Sequence, residues 1–180
     1  MNATKLVSSS VAILSEETLS VEQTDLRQKL ALRNEYIPKY FNQEQLRTIE
    51  LLCDAIIPPD DDCGGACQAG AVEYIDIAAK GNRTMQIRLA GGLAWLDFLC
   101  KKEFGSVYAE CEPCLQSSIL ELLAYRSNIK SRPGLRHGIE FFDLLRRLTA
   151  DAFFTSKIGI DYLGYIGNTK MEYFPGCRWD

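Results

Sequence analysis

Histidine occurs once in these 180 residues, at His137. A single imidazole excludes His-rich metal centres and leaves acid–base chemistry with few partners. No G-x-G-x-x-G and no G-x-x-x-x-G-K-[ST] occurs, so neither a dinucleotide fingerprint nor a phosphate-binding P-loop is present. There is no basic block and the net charge is −4, which removes the electrostatic case for nucleic acid or an anionic membrane as partner. No apolar run reaches the roughly 18 residues of a membrane span. Leu51 to Ile57 is broken by Asp54, and Leu93 to Cys100 by Asp97. Strand-like alternation, internal repeats and low-complexity segments are also missing. What remains is a hydrophobic content of 47% with 24% charge, the composition of a globular domain with a core of its own.

Cysteine, by contrast, is plentiful. Cys53, Cys63, Cys67, Cys100, Cys111, Cys114 and Cys177 make seven, a count that fits an oxidising compartment and leaves one thiol over. Cys53 and Cys100 fall on apolar helical stripes, as core thiols or a disulfide. Cys111 and Cys177 fall in loops and are better placed to bridge. Cys63-x3-Cys67 and Cys111-x2-Cys114 together offer four thiolates, but a second tight pair, the mark of a zinc site, is lacking.

Period and punctuation predict helices. Residues 1–20 read as a disordered or targeting segment, without a small-residue cleavage site. A first helix is expected over Val21 to Asn34, broken before Pro38. Asn42 with Gln45 three residues on resembles a capping box opening a helix whose stripe is Leu46, Ile49, Leu52, Cys53 and Ile56, ended by Pro58-Pro59. Asp60-Asp61-Asp62 lacks the spacing of a calcium loop and reads as a solvated turn. Helices follow over Ala69 to Ala79, stopped by Gly81, and over Thr84 to Phe104, with Leu89, Leu93, Leu96 and Cys100 inward and Gly105 as C-cap. Gly91-Gly92 weakens the latter by roughly 1 kcal/mol per glycine, which predicts close approach by another helix or by the tail. Pro113 suits the first turn of the next helix. Ser131 to Gly134 reads as a loop that leads, past His137, to a last helix from Gly138 with Phe141, Leu145, Leu148 and Ala152 on one face. After it come glycines and aromatics without period: Gly159, Tyr162, Gly164, Tyr165, Gly167, Tyr173, Phe174, Pro175.

These elements predict an all-α fold: a single helical bundle-like domain over 21–156, and an extended aromatic and glycine-rich C-terminal arm over 157–180. The arm is too apolar to stand in water. It packs either on its own bundle or on a partner. No nucleophile–base–orienter set accompanies His137 or the acids Glu140, Asp143 and Asp151, so the residues themselves supply no catalytic group, no cofactor site and no metal site.

The order of motifs carries more. Phe41-Asn42, Leu52 to Pro58, Gly64-Gly65-Ala66, Ala69-Gly70-Ala71 and Tyr74-Ile75-Asp76 are followed by Gly91 to Asp97, Phe141-Phe142, Leu145-Arg146, Leu148-Thr149 and Phe153 to Ser156. Gly159-Ile160, Tyr162, Gly164-Tyr165, Gly167-Asn168 and Phe174 to Cys177 complete the series. From about Phe41 to Cys177 the chain resembles the small subunit, subunit 3 or gamma, of gluconate 2-dehydrogenase-type flavin dehydrogenases. Its last pieces look most like the branch accompanying glucoside 3-dehydrogenases.

The resemblance implies a non-catalytic subunit, supporting folding, stability or export of a large flavoprotein of the glucose–methanol–choline type. That partner would hold FAD, a cytochrome c would take electrons in some complexes, and the location would be periplasmic. The family's twin-arginine export signal is not visible; the Arg-Arg pair at Arg146-Arg147 lies inside the last helix. Cys63 and Cys67 depart from most relatives. On this reading the partner interface comprises Gly91, Gly92, Trp95, Tyr162, Gly164, Tyr165, Gly167, Asn168, Phe174 and Pro175, and the candidate bridging cysteines are Cys63, Cys67, Cys111 and Cys177. The alternatives are a stand-alone cysteine-based metal or redox protein, and a structural subunit of an unrelated complex.

Overall fold

The computed structural model describes residues 36–61, 63–165 and 167. The chain divides into two compact units, Met1–Ile37 and Pro38–Asp180. Of the first only Tyr36 and Ile37 are described, so the expected segments 1–20 and Val21 to Asn34 lie outside the described residues. All of the described helices belong to the second unit.

Among the described residues there are seven α-helices and no strand, the all-α class that the periodicity predicts. They are α1 (Gln43–Ile56), α2 (Ala71–Gly81), α3 (Arg83–Phe104), α4 (Pro113–Ala124), α5 (Asn128–Ser131), α6 (Arg136–Thr155) and α7 (Lys157–Tyr162). Two 3₁₀ turns, Tyr108–Glu110 and Pro133–Leu135, join them. The organising element is α6, which packs against α1, α2, α3, α4, α7 and the second 3₁₀ turn. Eleven of its 20 residues are buried, more than one stripe can account for. Phe141, Leu145, Leu148 and Ala152 form the expected row, and Ile139, Phe142 and Leu144 make a second one beside it. A helix apolar over that much of its circumference must be surrounded.

Local chemistry sets the ends. Asn42 Oδ1 accepts the Gln45 N–H at 2.8 Å and Gln45 Oε1 accepts the Asn42 N–H at 3.2 Å, a reciprocal capping box. Pro113 occupies the first turn of α4, and Gly105 closes α3 at φ +84°. The acidic turn after Pro59 is exposed at Asp60 and Asp61, and Asp60 Oδ1 accepts the Cys63 N–H at 2.6 Å.

Four expectations are corrected. Gly81 does not stop α2 but is its last residue; Asn82 ends α2 and caps α3, its Oδ1 accepting the Thr84 and Met85 N–H groups at 3.0 and 3.2 Å. Ser131 to Gly134 is not a plain loop but the end of α5 and a 3₁₀ turn. The last long helix starts at Arg136, so His137 lies in its first turn rather than in a loop. The arm begins as helix: Ser156 Oγ accepts the Gly159 N–H at 3.1 Å and opens α7.

Buried polar groups are tied into this frame. Asp76 of α2, fully buried, accepts the N–H groups of Lys39, Tyr40 and Phe41 at 2.5, 3.0 and 2.8 Å. Asp143 of α6 meets Arg126 at 2.6 Å and Arg146 at 3.0 Å. Cys53 Sγ lies 3.5 Å from Thr149 Oγ1, linking α1 to α6.

Candidate functional site

The residues expected at a partner interface fall in two places, one at each end of α6. At its N-terminal end α3 and α6 cross in close contact. A Cβ built on Gly92 would lie 2.1 Å from the Phe141 ring, and one on Gly138 would lie 2.0 Å from Trp95. Each helix therefore offers a glycine on which the other seats an aromatic ring, and any side chain at either glycine would force the helices apart. This is the close approach that Gly91-Gly92 predicts, and it is made by α6. It accounts for Gly92 only. Gly91 is exposed, with nothing within 4 Å of its Cβ position. A groove of about 340 Å³ runs beside the crossing, bounded by Ile87, Arg88, Gly91, Trp95, His137 and Glu140.

At the other end α7 folds back on the last turn of α6. A Cβ on Gly159 would meet the Phe153 carbonyl oxygen at 2.1 Å, so only glycine lets the chain turn this tightly. The Tyr162 ring sits 6.5 Å from that of Phe153 in an edge arrangement. Tyr162, Leu163 and Tyr165 remain 57%, 58% and 57% exposed. Gly164 and Gly167 take φ of +63° and +83°, left-handed backbone that suits glycine. Asn168, Phe174, Pro175 and Cys177 lie outside the described residues. A cleft of about 420 Å³ opens here, walled by Ile57, Pro58, Phe153, Phe154 and Tyr162, with Arg146 and Cys63 also lining it.

The two places are not one site. Their linings share no residue, and the 12 residues from Phe141 to Phe153 along α6 span about 18 Å. The described part of the arm thus stands apart from the Gly91-Gly92 region.

The six described cysteines are thiols. Cys67 Sγ donates to the Glu50 carbonyl at 3.3 Å and Cys111 Sγ to the Val107 carbonyl at 3.3 Å. Burial pushes the Cys53 and Cys100 thiols up to about 12 and raises Cys67 further. Such thiols stay protonated at neutral pH and are poor nucleophiles. Among the described residues no group of three or more His, Cys, Asp or Glu gathers as metal ligands would, and no helix is long and apolar enough to cross a membrane.

The expected interface residues include Gly91 but not the rest of the row to which it belongs. On the outer side of α3, Ile87 and Phe98 are 61% and 65% exposed, and Gly91 and Ala94 between them are exposed too. These four positions fall at i, i+4, i+7 and i+11, the spacing of the buried row Leu89, Leu93, Leu96 and Cys100. The signal is legible in the sequence, but the inward row satisfies the core requirement and hides it.

The family model described as gluconate 2-dehydrogenase subunit 3 matches residues 43–176, which takes in α1 to α7 and both ends of α6. No curated protein and no solved structure matches.

Proposed function

The chain belongs to the gluconate 2-dehydrogenase subunit 3 family, and from that premise we propose that it is the non-catalytic small subunit of a flavin-dependent sugar dehydrogenase. Membership itself makes it an accessory subunit of a dehydrogenase complex, with a dehydrogenase as partner. The finer reading is that the partner is a flavoprotein of the glucose–methanol–choline type holding FAD and acting on a glucoside or related sugar, in the periplasm. A cytochrome c accepts the electrons. The small subunit supports folding, stability or export of the flavoprotein.

The observation that carries the proposal is the start of the arm. Tyr162, Leu163 and Tyr165 leave the bundle more than half exposed, and Tyr173, Phe174 and Pro175 come after them in the sequence. Aromatics at a docking surface bury large area with little loss of rotamer freedom. The flavin falls to the partner on this reading because this sequence carries no G-x-G-x-x-G, the fingerprint of a dinucleotide-binding turn.

Purification of the chain from its own cells at low salt, with an absorbance spectrum of the eluate, tests the proposal. A flavin spectrum from a co-eluting subunit, with sugar-dependent dye reduction, supports it; a colourless protein eluting alone overturns it. Tyr165→Ala is expected to weaken the complex by about 2 kcal/mol while the free subunit unfolds at an unchanged denaturant concentration. Loss of stability without loss of binding would make the arm part of the core.

A further inference from the structure

We infer that the outer face of α3 is a second docking surface for the dehydrogenase partner, seating an apolar helical segment that carries acidic residues near both of its ends. This rests on the reading of the chain as a dehydrogenase subunit.

The first observation is a surplus. α3 satisfies the core with Leu89, Leu93, Leu96 and Cys100, all buried. Its opposite face, Ile87, Gly91, Ala94 and Phe98, is exposed along its whole length. At 1.5 Å per residue this stripe is about 16 Å long, some three helical turns. An aligned apolar stripe of this kind is different from scattered surface hydrophobics and marks an interaction face.

The second observation is Gly91. Its neighbour Gly92 is required by Phe141, but among the described residues nothing beyond its own stretch of helix lies within 4 Å of the Gly91 Cβ position. A glycine in the middle of a helix lowers stability relative to alanine, and nothing within the bundle offsets that loss. At the centre of the exposed stripe it forms a notch into which a second helix backbone can settle. The groove of about 340 Å³ beside it, with Trp95 among its walls, has room for a large anchoring side chain at the edge of that contact.

The third observation is charge, and it selects the occupant. Helical phase places Arg83 with Thr84 at one end of the stripe and Lys101 with Lys102 at the other, all exposed. Arg88 flanks it on the side of the groove. Glu103 points away from the stripe, and Asp97 is engaged by the Tyr108 N–H at 3.1 Å. The stripe thus has cations at both ends on a chain whose net charge is −4, with the acid Glu140 lying across the groove from it. The complementary surface is apolar at its centre and acidic at its ends, and complementarity of this kind sets register and association rate.

The test uses the full chain co-purified with its dehydrogenase subunit, identified by sugar-dependent dye reduction. Phe98→Glu is expected to weaken the complex about tenfold or more, as at an interface hot spot, and Phe98→Leu to leave it nearly intact. The double variant Lys101→Glu/Lys102→Glu is expected to bind more weakly and to lose much of the salt dependence shown by the wild type. Because all three positions are exposed, the helical circular dichroism should be unchanged. A Phe98→Glu chain that retains wild-type affinity overturns the inference and leaves the dehydrogenase reading standing. A wild-type chain that brings down no dehydrogenase overturns both. If the complex is undisturbed but Phe98→Glu abolishes binding to anionic phosphatidylglycerol vesicles, the stripe faces a lipid surface instead and the inference fails.

Discussion

α3 and α6 are nearly equal in length, 22 and 20 residues, and each supplies a glycine and an aromatic to the same crossing. They nevertheless use their apolar residues differently. In α6 they face inward, Phe154 apart, against five other helices. In α3 one row is buried and a second, equally regular row is exposed. The burial in α6 is explained by folding alone. The outer row of α3 is not, because exposing Phe98 and Ile87 to water contributes nothing to the stability of the isolated bundle. Stability and recognition are therefore written on separate helices, and substitutions should separate them.

The largest effect is expected at the centre of α6. Leu145→Ala removes a fully buried side chain and should cost about 2–5 kcal/mol of folding stability, read by chemical denaturation. Next come the two glycines of the crossing. Gly92→Ala and Gly138→Ala each place a methyl group inside the van der Waals radius of a ring, and should each cost about 1–3 kcal/mol by the same measurement. The contrast is sharpest one residue away: Gly91→Ala meets open space and should stabilise the free chain by up to about 1 kcal/mol, while weakening the complex. Were Gly91→Ala to destabilise the free chain as Gly92→Ala does, the division between the two faces of α3 would collapse.

One further effect is confined to alkaline pH and absent at neutrality: a pH dependence of stability. Cys53 and Cys100, raised by burial from 9.0 to about 12, hold their protons more tightly folded than unfolded. The folded chain therefore binds more protons between those values, and stability falls as pH rises. The contribution is fully present below about pH 9 and is lost as pH climbs from there toward about 12. Denaturation midpoints across that range should decline, and Cys53→Ala should flatten the decline.

Much of the fold could be read from the chain because its signals are local. The Asn42–Gln45 box, Pro113 in a first turn and Gly105 at a helix end involve contacts within four residues. What was hidden depends on residues far apart in sequence. Nothing near Gly138 reveals that Trp95 will lie against it, and the serine and glycine after Phe153 read as irregular chain until Ser156 is seen capping a short helix. The interface residues divide the same way. Tyr162 and Tyr165 stand out by composition, and the structure leaves both exposed. Gly92 carries a strong signal, but its space is taken within the bundle, and the neighbouring Gly91 is the one that remains open.

The Asp76 carboxylate has a mechanical consequence. It grips three successive backbone N–H groups, those of Lys39, Tyr40 and Phe41, from within α2. Tension on the chain ahead of Pro38 would be borne by this hitch before it reached α1, with the load passing sideways into α2. A protease cut anywhere before Lys39 would leave all three bonds in place. The bundle thus has a tether point that isolates its helices from whatever pulls on, trims or carries the preceding residues.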